Sequence, residues 1–352
     1  MCGHVCARGF TLTDSWCDSD HAINISDFIK YPTLFYLVFI YSFILAFQNL
    51  LPGPVKGKPV FYGTVPPYPN FNASNDAAVL KSAIESKGVD EDVINAVLVK
   101  RNNEQRQKIK AVYEANKLEV ALKKALKSDH EDICLALLMP PAYYDAFLFR
   151  KATKGVGTKE DVLVEILATR TNQEICEIKK VFKEEYKEEL EDVIKNETSG
   201  DFNKALLAML QANKDESNVV DMAQAKKDAE ALFEAGENTK GTNVSTFIDI
   251  LTTRSGPQLA QSECSKCVNA SCVVKCAWNT PAFFAEKLHL AIKGLGTNEA
   301  TLTRVLVSRS EVDLKKIVEE YRAMYGTSLQ EHIVKDTSAY YQKILIGLCG
   351  AG

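Results

Sequence analysis

The chain has 352 residues, 46% hydrophobic and 25% charged, with neither glycine nor proline in excess, so a mostly folded protein with sizeable cores is expected. Lysine and arginine total 42 against 46 aspartate and glutamate, a formal net charge of −4. That balance excludes a general attraction to nucleic acid or to anionic lipid, and binding to an acidic membrane would need a cationic bridge.

Residues 1–54 form an atypical N-terminal segment. Tyr31 to Val55 carry no charge, and their core from Leu34 to Phe47 is very apolar. Twenty-five uncharged residues are long enough to span a bilayer as a helix. The run starts late and follows Asp14, Asp18, Asp20 and Asp27, which is unlike a secretory signal. Lys30 before it and Lys56 and Lys58 after it give little orientation. Two readings stand, a membrane anchor or a leader foreign to the folded body. Residues 55–71 read as a linker.

From there an internal repeat organises the chain into units at 72–142, 143–214, 226–278 and 279–352. Arg101, Arg170, Arg254 and Arg309 each close one pattern. Three residues before them stand Leu98, Leu167, Leu251 and Leu306, and four before stand Val97, Ile166, Ile250 and Val305. Seven before stand Ile94, Leu163, Phe247 and Leu302, so the apolar positions share one helix face. Thirteen before each arginine is a glycine: Gly88, Gly157, Gly241 and Gly296. A loop-plus-helix unit recurring in one register predicts an all-α repeat protein with about 70 residues per module. In the first unit Asp76 is the expected N-cap of an amphipathic helix carrying Val79, Leu80, Ala83 and Ile84.

The loops read Lys154-Gly155-Val156-Gly157-Thr158 in the second unit and Lys293-Gly294-Leu295-Gly296-Thr297 in the fourth. Paired glycines permit positive φ and turn backbone carbonyls toward one point. Calcium takes six to eight hard oxygens, and carbonyls with one bidentate carboxylate supply them. Forty residues after Gly157 is Glu197, and forty after Gly296 is Asp336, in the matching strings Glu197-Thr198-Ser199 and Asp336-Thr337-Ser338. A phosphate-binding loop would need a preceding strand and a following Gly-Lys-Ser/Thr, and neither is present.

These motifs, with Leu251-Thr252-Thr253-Arg254-Ser255 and Pro281-Ala282-Phe283-Phe284-Ala285-Glu286-Lys287-Leu288-His289, resemble the annexin family from about Val55 onward. The resemblance implies a curved disc of four repeats, each of about five short helices, with calcium loops on its convex face. It implies Ca2+ as the bound ion and acidic, phosphatidylserine-like membranes as the partner. Vesicle organisation and phospholipase A2 inhibition are family-level activities. The expected location is cytoplasmic and, in calcium, peripheral at plasma membrane and vesicles, with nucleus or extracellular space also compatible.

Carried over position by position, the second-repeat site uses Thr153, Gly155, Gly157 and Glu197, with Thr158 and Glu160 beside them. The fourth uses Ile292, Gly294, Gly296 and Asp336. Thr153 and Ile292 stand where the family usually has Met, a change a carbonyl ligand tolerates. A weaker first-repeat site draws on Gly88, Val89 and Glu91, with Lys123, Leu126 and Glu131 as its distal part. Position 128, forty after Gly88, is serine. The third repeat offers Gly236, Thr239 and Gly241, but forty residues on stands Pro281, so its distal acid is absent.

The third unit is therefore expected to be shortened by roughly 20 residues against the repeat period. Cys264, Cys267, Cys272 and Cys276 occupy the gap. Their spacing fits a tetrahedral thiolate zinc site or an irregular insertion without one. Cys134, Cys176 and Cys349 read as buried free thiols and, with the helix-rich body, as signs of a reducing compartment. The family's S100-recruiting N-terminal helix has no counterpart, which weakens an S100-type partner. His289 and His332 have no nucleophile or acid at a recognisable spacing, and no enzyme is expected.

Overall fold

The computed structural model describes residues 61–113, 117–155, 157–236, 243–261, 279–294 and 296–350. All regular structure among them is helical. The first repeat comprises α1 (Ala73–Glu85), α2 (Glu91–Leu98), α3 (Asn103–Val112), α4 (Leu118–Ala125) and α5 (Ser128–Leu137). The second comprises α6 (Pro141–Thr153), α7 (Glu160–Thr169), α8 (Asn172–Tyr186), α9 (Leu190–Glu197) and α10 (Gly200–Leu210). The third has α11 (Met222–Gly236), α12 (Val244–Thr253) and α13 (Gly256–Gln261). The fourth restores the five with α14 (Thr280–Ile292), α15 (Glu299–Arg309), α16 (Leu314–Tyr325), α17 (Leu329–Asp336) and α18 (Ala339–Cys349). The N-terminal apolar run, the four clustered cysteines, Thr239 and Gly241 lie outside the described residues.

The arginine register is explained by what precedes and follows it. Arg101 and Arg170 make bidentate pairs with Asp76 and Asp145 in the first helix of their repeats, at 2.6–2.9 Å. Arg254 does the same with Asp228 at 2.7 and 2.9 Å. Asp76 is thus a buried ion-pair partner rather than the N-cap; Asn72 caps α1 by accepting the Asn75 N–H. The residue after the arginine caps the next helix: Asn102 with Gln105 and Thr171 with Glu174 form capping boxes. In the fourth repeat Phe284 takes the aspartate's place. Arg309 lies over its ring at 4.8 Å and turns to Asp313, four residues ahead, at 2.6 and 2.7 Å.

The apolar register fills the core. Ile94, Leu98, Leu163, Leu302, Val305 and Leu306 are fully buried. In the third repeat Ile250 is buried, but Phe247 and Leu251 are only half-covered and pack in a small separate cluster with Leu232 and Leu259. The pairing of repeats shows why. The first and fourth are joined by α5 against both α15 and α18 and by α2 against α18. The second and third are joined by α10 against α12, and the reciprocal fifth helix of the third repeat is not among the described elements. Cys134 and Cys349 are buried as expected; Cys176 is exposed, because it falls on the outer face of α8.

Two further contacts cross the repeats. Glu165 of α7, fully buried, takes a bidentate pair from Arg304 of α15 at 2.9 Å and a third bond from Lys287 of α14 at 3.0 Å. Residues 61–68 form a strap over the first and fourth repeats. The Thr64 N–H donates to the Ser310 carbonyl at 2.8 Å, the Lys315 N–H to the Tyr62 carbonyl at 3.0 Å, and the Tyr68 N–H to Gln105 Oε1 at 2.9 Å. Gly63 is needed there, since a Cβ would stand 2.8 Å from the Ser310 carbonyl oxygen.

Candidate calcium loops

Each repeat joins its first two helices by a loop closed in the same way. The N–H of Asp90, Lys159, Asn243 or Asn298 donates back to a carbonyl near the end of the first helix, Ala83, Ala152, Ala235 or Ala291, at 2.8–2.9 Å. The second and fourth loops carry two glycines one residue apart, whereas in the third Gly236 and Gly241 stand five apart. Gly155 and Gly157 have φ of +115° and +81°, and Gly294 and Gly296 have +127° and +98°. L side chains rarely adopt these values. A Cβ at any of the four would meet nothing within 4 Å, so these loops are held open to solvent.

The distant acids arrive at the same place. Glu197 is the last residue of α9 and Asp336 the last of α17. The Thr158 hydroxyl donates to the Glu197 carbonyl at 2.9 Å, and the Thr297 hydroxyl to the Asp336 carbonyl at 3.0 Å. A threonine one residue past the second glycine therefore staples each loop to its acid. Thr198 and Thr337, which follow the acids, donate to Ile194 and Ile333 carbonyls and close the helix ends. Neither carboxylate has a hydrogen-bond or ion-pair partner among the described residues, and both are exposed. Two open carbonyl loops, each beside one free carboxylate, match the hard-oxygen donor set that calcium requires. Glu160 opens α7 next to the loop, its N–H donating to the Thr158 carbonyl at 3.1 Å.

The other two loops differ. In the first, Gly88 has φ of +85°, but its carbonyl accepts the Ser86 hydroxyl at 2.6 Å. Val89 and Glu91 lie at the start of α2, while Lys123, Leu126 and Glu131 gather at the α4–α5 junction, where Ser128 itself has φ of +52°. Lys123 and Glu131 also line a solvent-open groove of about 910 Å³ between the first, second and fourth repeats. In the third, Gly236 ends α11 in helical conformation, with a built Cβ 3.3 Å from Phe247.

Replacing both staple threonines by valine removes one hydroxyl–carbonyl bond per loop. At about 1 kcal/mol each, calcium affinity measured by titration calorimetry is expected to fall roughly fivefold per site, with the thermal midpoint little changed.

The Asp76, Asp145 and Asp228 partners escaped the sequence reading, although an aspartate stands 25 or 26 residues before three of the four arginines. Thr297 was equally visible as the counterpart of Thr158.

A family model described as Annexin matches residues 75–137, 144–209, 227–262 and 283–348, the third match being roughly half the length of the others. Annexin A1 of Homo sapiens is 48% identical over 320 residues, spanning 84% of this chain and 91% of that protein. Among solved structures, annexin III superposes with a TM-score of 0.78 at 42% identity, covering 82% of this chain and 97% of that one. A calcium-bound annexin (Sm)1 superposes at 0.72 with 28% identity, covering 83% and 94%. A repeat protein with open carbonyl loops facing helix-end acids is the class defined by this fold, and the chain belongs to the annexin family. Membership supports calcium-dependent phospholipid binding in general.

Proposed function

We propose that the protein docks peripherally on acidic phospholipid bilayers through calcium held at the second- and fourth-repeat loops. Thr153, Gly155 and Gly157 would supply carbonyls beside Glu197, and Ile292, Gly294 and Gly296 would do so beside Asp336. The observation that carries this reading is the stapling of each open double-glycine loop to a free helix-end carboxylate. Calcium so held keeps coordination positions for lipid phosphate or serine carboxylate oxygens, and it bridges a chain of net charge −4 to an anionic surface. Lys154 and Lys293, which cap the preceding helices and have no side-chain partner among the described residues, would add headgroup contacts. The first-repeat site would be weaker, because the Gly88 carbonyl is already engaged and serine replaces the acid.

Occupation of the lipid surface would underlie roles in vesicle organisation and phospholipase A2 inhibition, and would place the protein in the cytoplasm and, in calcium, at plasma membrane and vesicles. In flotation with calcium, phosphatidylserine vesicles are expected to carry the protein and pure phosphatidylcholine vesicles are not. Equal capture by both lipids would remove the calcium bridge from the account.

A further inference from the structure

The two helix ends that carry Glu197 and Asp336 are each held by a side-chain amide from the helix that follows. Gln342, in the first turn of α18, donates from Nε2 to the Val334 carbonyl at 3.0 Å and to the Thr337 carbonyl, one on either side of Asp336. Asn203, in the first turn of α10, donates from Nδ2 to the Ile194 carbonyl at 3.1 Å and to the Thr198 hydroxyl at 2.9 Å, with the Thr198 carbonyl 3.4 Å away. The last carbonyls of a helix find no partner within it, and here an amide satisfies them.

The first repeat has the same junction with a different residue. Ser128, Gly200 and Ala339 open α5, α10 and α18 with φ of +52°, +64° and +54°, so the three junctions share one backbone path. Three residues on stand Glu131, Asn203 and Gln342. In that register Val334 and Thr337 match Lys123 and Leu126. No hydrogen bond to the Lys123 or Leu126 carbonyl, and none to the Glu131 carboxylate, forms among the described residues.

Two carbonyls that converge on one NH2 group also converge on a cation. A nitrogen 3.0 Å from the Val334 oxygen stands only a few tenths of an ångström beyond a calcium–oxygen bond, which runs about 2.3–2.6 Å. The amide presents the positive ends of its N–H bonds to those oxygens and brings no negative charge for an ion. A glutamate in the same register brings a carboxylate and leaves the carbonyls free.

We propose that the residue three past the start of the fifth helix decides whether a repeat takes a helix-end calcium ion, and that Asn203 and Gln342 exclude one by standing in its place. Glu131 leaves the place open in the first repeat; the amides close it in the second and fourth. They also brace the helix ends that carry Glu197 and Asp336, so each of these repeats holds calcium at its double-glycine loop alone. The count of loop ions rests on the function proposed above; the exclusion at the helix end does not.

Calcium bound per full-length chain is counted by titration calorimetry on phosphatidylserine vesicles, with the vesicles alone as blank. Gln342→Glu is expected to hold one ion more than the wild type, with a dissociation constant on the order of 10⁻⁴ to 10⁻³ M, since one carboxylate serves it. In chelator its thermal midpoint should fall below that of the wild type, because the new carboxylate faces two carbonyls, and calcium should restore it. Gln342→Met removes the amide without adding charge and should gain no ion. Asn203→Asp repeats the test in the second repeat, and it decides the matter if Gln342→Glu does not fold in chelator. An unchanged ion count in Gln342→Glu, with a midpoint that calcium does not raise beyond the wild-type response, overturns the proposal. So does a gain in Gln342→Met as large as that in Gln342→Glu, since the ion would then need nothing from position 342. A wild type that holds no tight ion overturns the loop reading instead, while a gain in Gln342→Glu over that baseline still supports the helix-end place.

Discussion

Replacing Glu197 and Asp336 together by alanine is expected to raise the calcium needed for half-maximal vesicle binding by at least about 100-fold, the loss of some 3 kcal/mol of charge-assisted ligation. Each acid is the last residue of its helix, exposed, and anchored through its own backbone carbonyl by Thr158 or Thr297. Removing the carboxylates therefore leaves the staples in place, and the thermal midpoint should hold. Each single variant should retain calcium-dependent binding through the other loop, at higher calcium. A similar Glu91→Ala/Glu131→Ala pair in the first repeat should matter far less, because the Gly88 carbonyl is already spoken for by Ser86. Calcium-dependent flotation that survives the loss of both Glu197 and Asp336 would show that the lipid face lies elsewhere.

The second large effect is on stability. Glu165 is fully buried at the junction of the second and fourth repeats. Burial alone would lift its carboxyl, but Arg304 and then Lys287 outweigh burial and hold it at about 2, against an ordinary 4.5. Glu165→Ala leaves Arg304, at 5% side-chain exposure, and Lys287 to share the largely exposed Asp161, at 3.8 and 3.3 Å. Breaking a buried pair in this way is expected to cost about 3–5 kcal/mol in urea denaturation. The same seam makes a pH prediction. A depressed folded-state value stabilises the fold fully above about pH 4.5, and the contribution, of order 3 kcal/mol, is lost as pH falls toward 2. The wild type should lose stability through that window more steeply than Glu165→Ala. Parallel acid profiles for the two proteins would remove Glu165 from the account of the fold.

The parts of the fold that could be read from sequence were those with a local period. The arginine and its apolar companions at three, four and seven residues back mark one helix face. Ile94, Leu163 and Leu302 are buried as that face requires. The Gly-to-acid offset of forty was legible because loop and helix end belong to one module of fixed length, and in both the second and fourth repeats a threonine joins the two ends of that offset.

What was not legible depends on contacts without a period. Glu165 and Arg304 are 139 residues apart, and neither is marked by its neighbours. Asp76 reads as a cap because it precedes apolar helix positions, yet tertiary pairing with Arg101 draws it inward and leaves the capping to Asn72. Phe284 in place of an aspartate looks like an ordinary core residue, but it turns Arg309 toward Asp313 and so shapes the turn on which the strap docks. The shortened third repeat was visible as a broken offset. Its consequence, half-covered Phe247 and Leu251 and a second–third pairing made from one side among the described helices, needed the packing.

The most direct measurement of the central claim is calcium titration calorimetry on the full chain in the presence of phosphatidylserine vesicles. Two tightly bound calcium ions per chain are expected, falling to one in Glu197→Ala or Asp336→Ala and to none in the double variant. A tight-site count that is zero in the wild type, or that does not change when the two acids are removed, would contradict the assignment of the second- and fourth-repeat loops as the membrane-docking calcium sites.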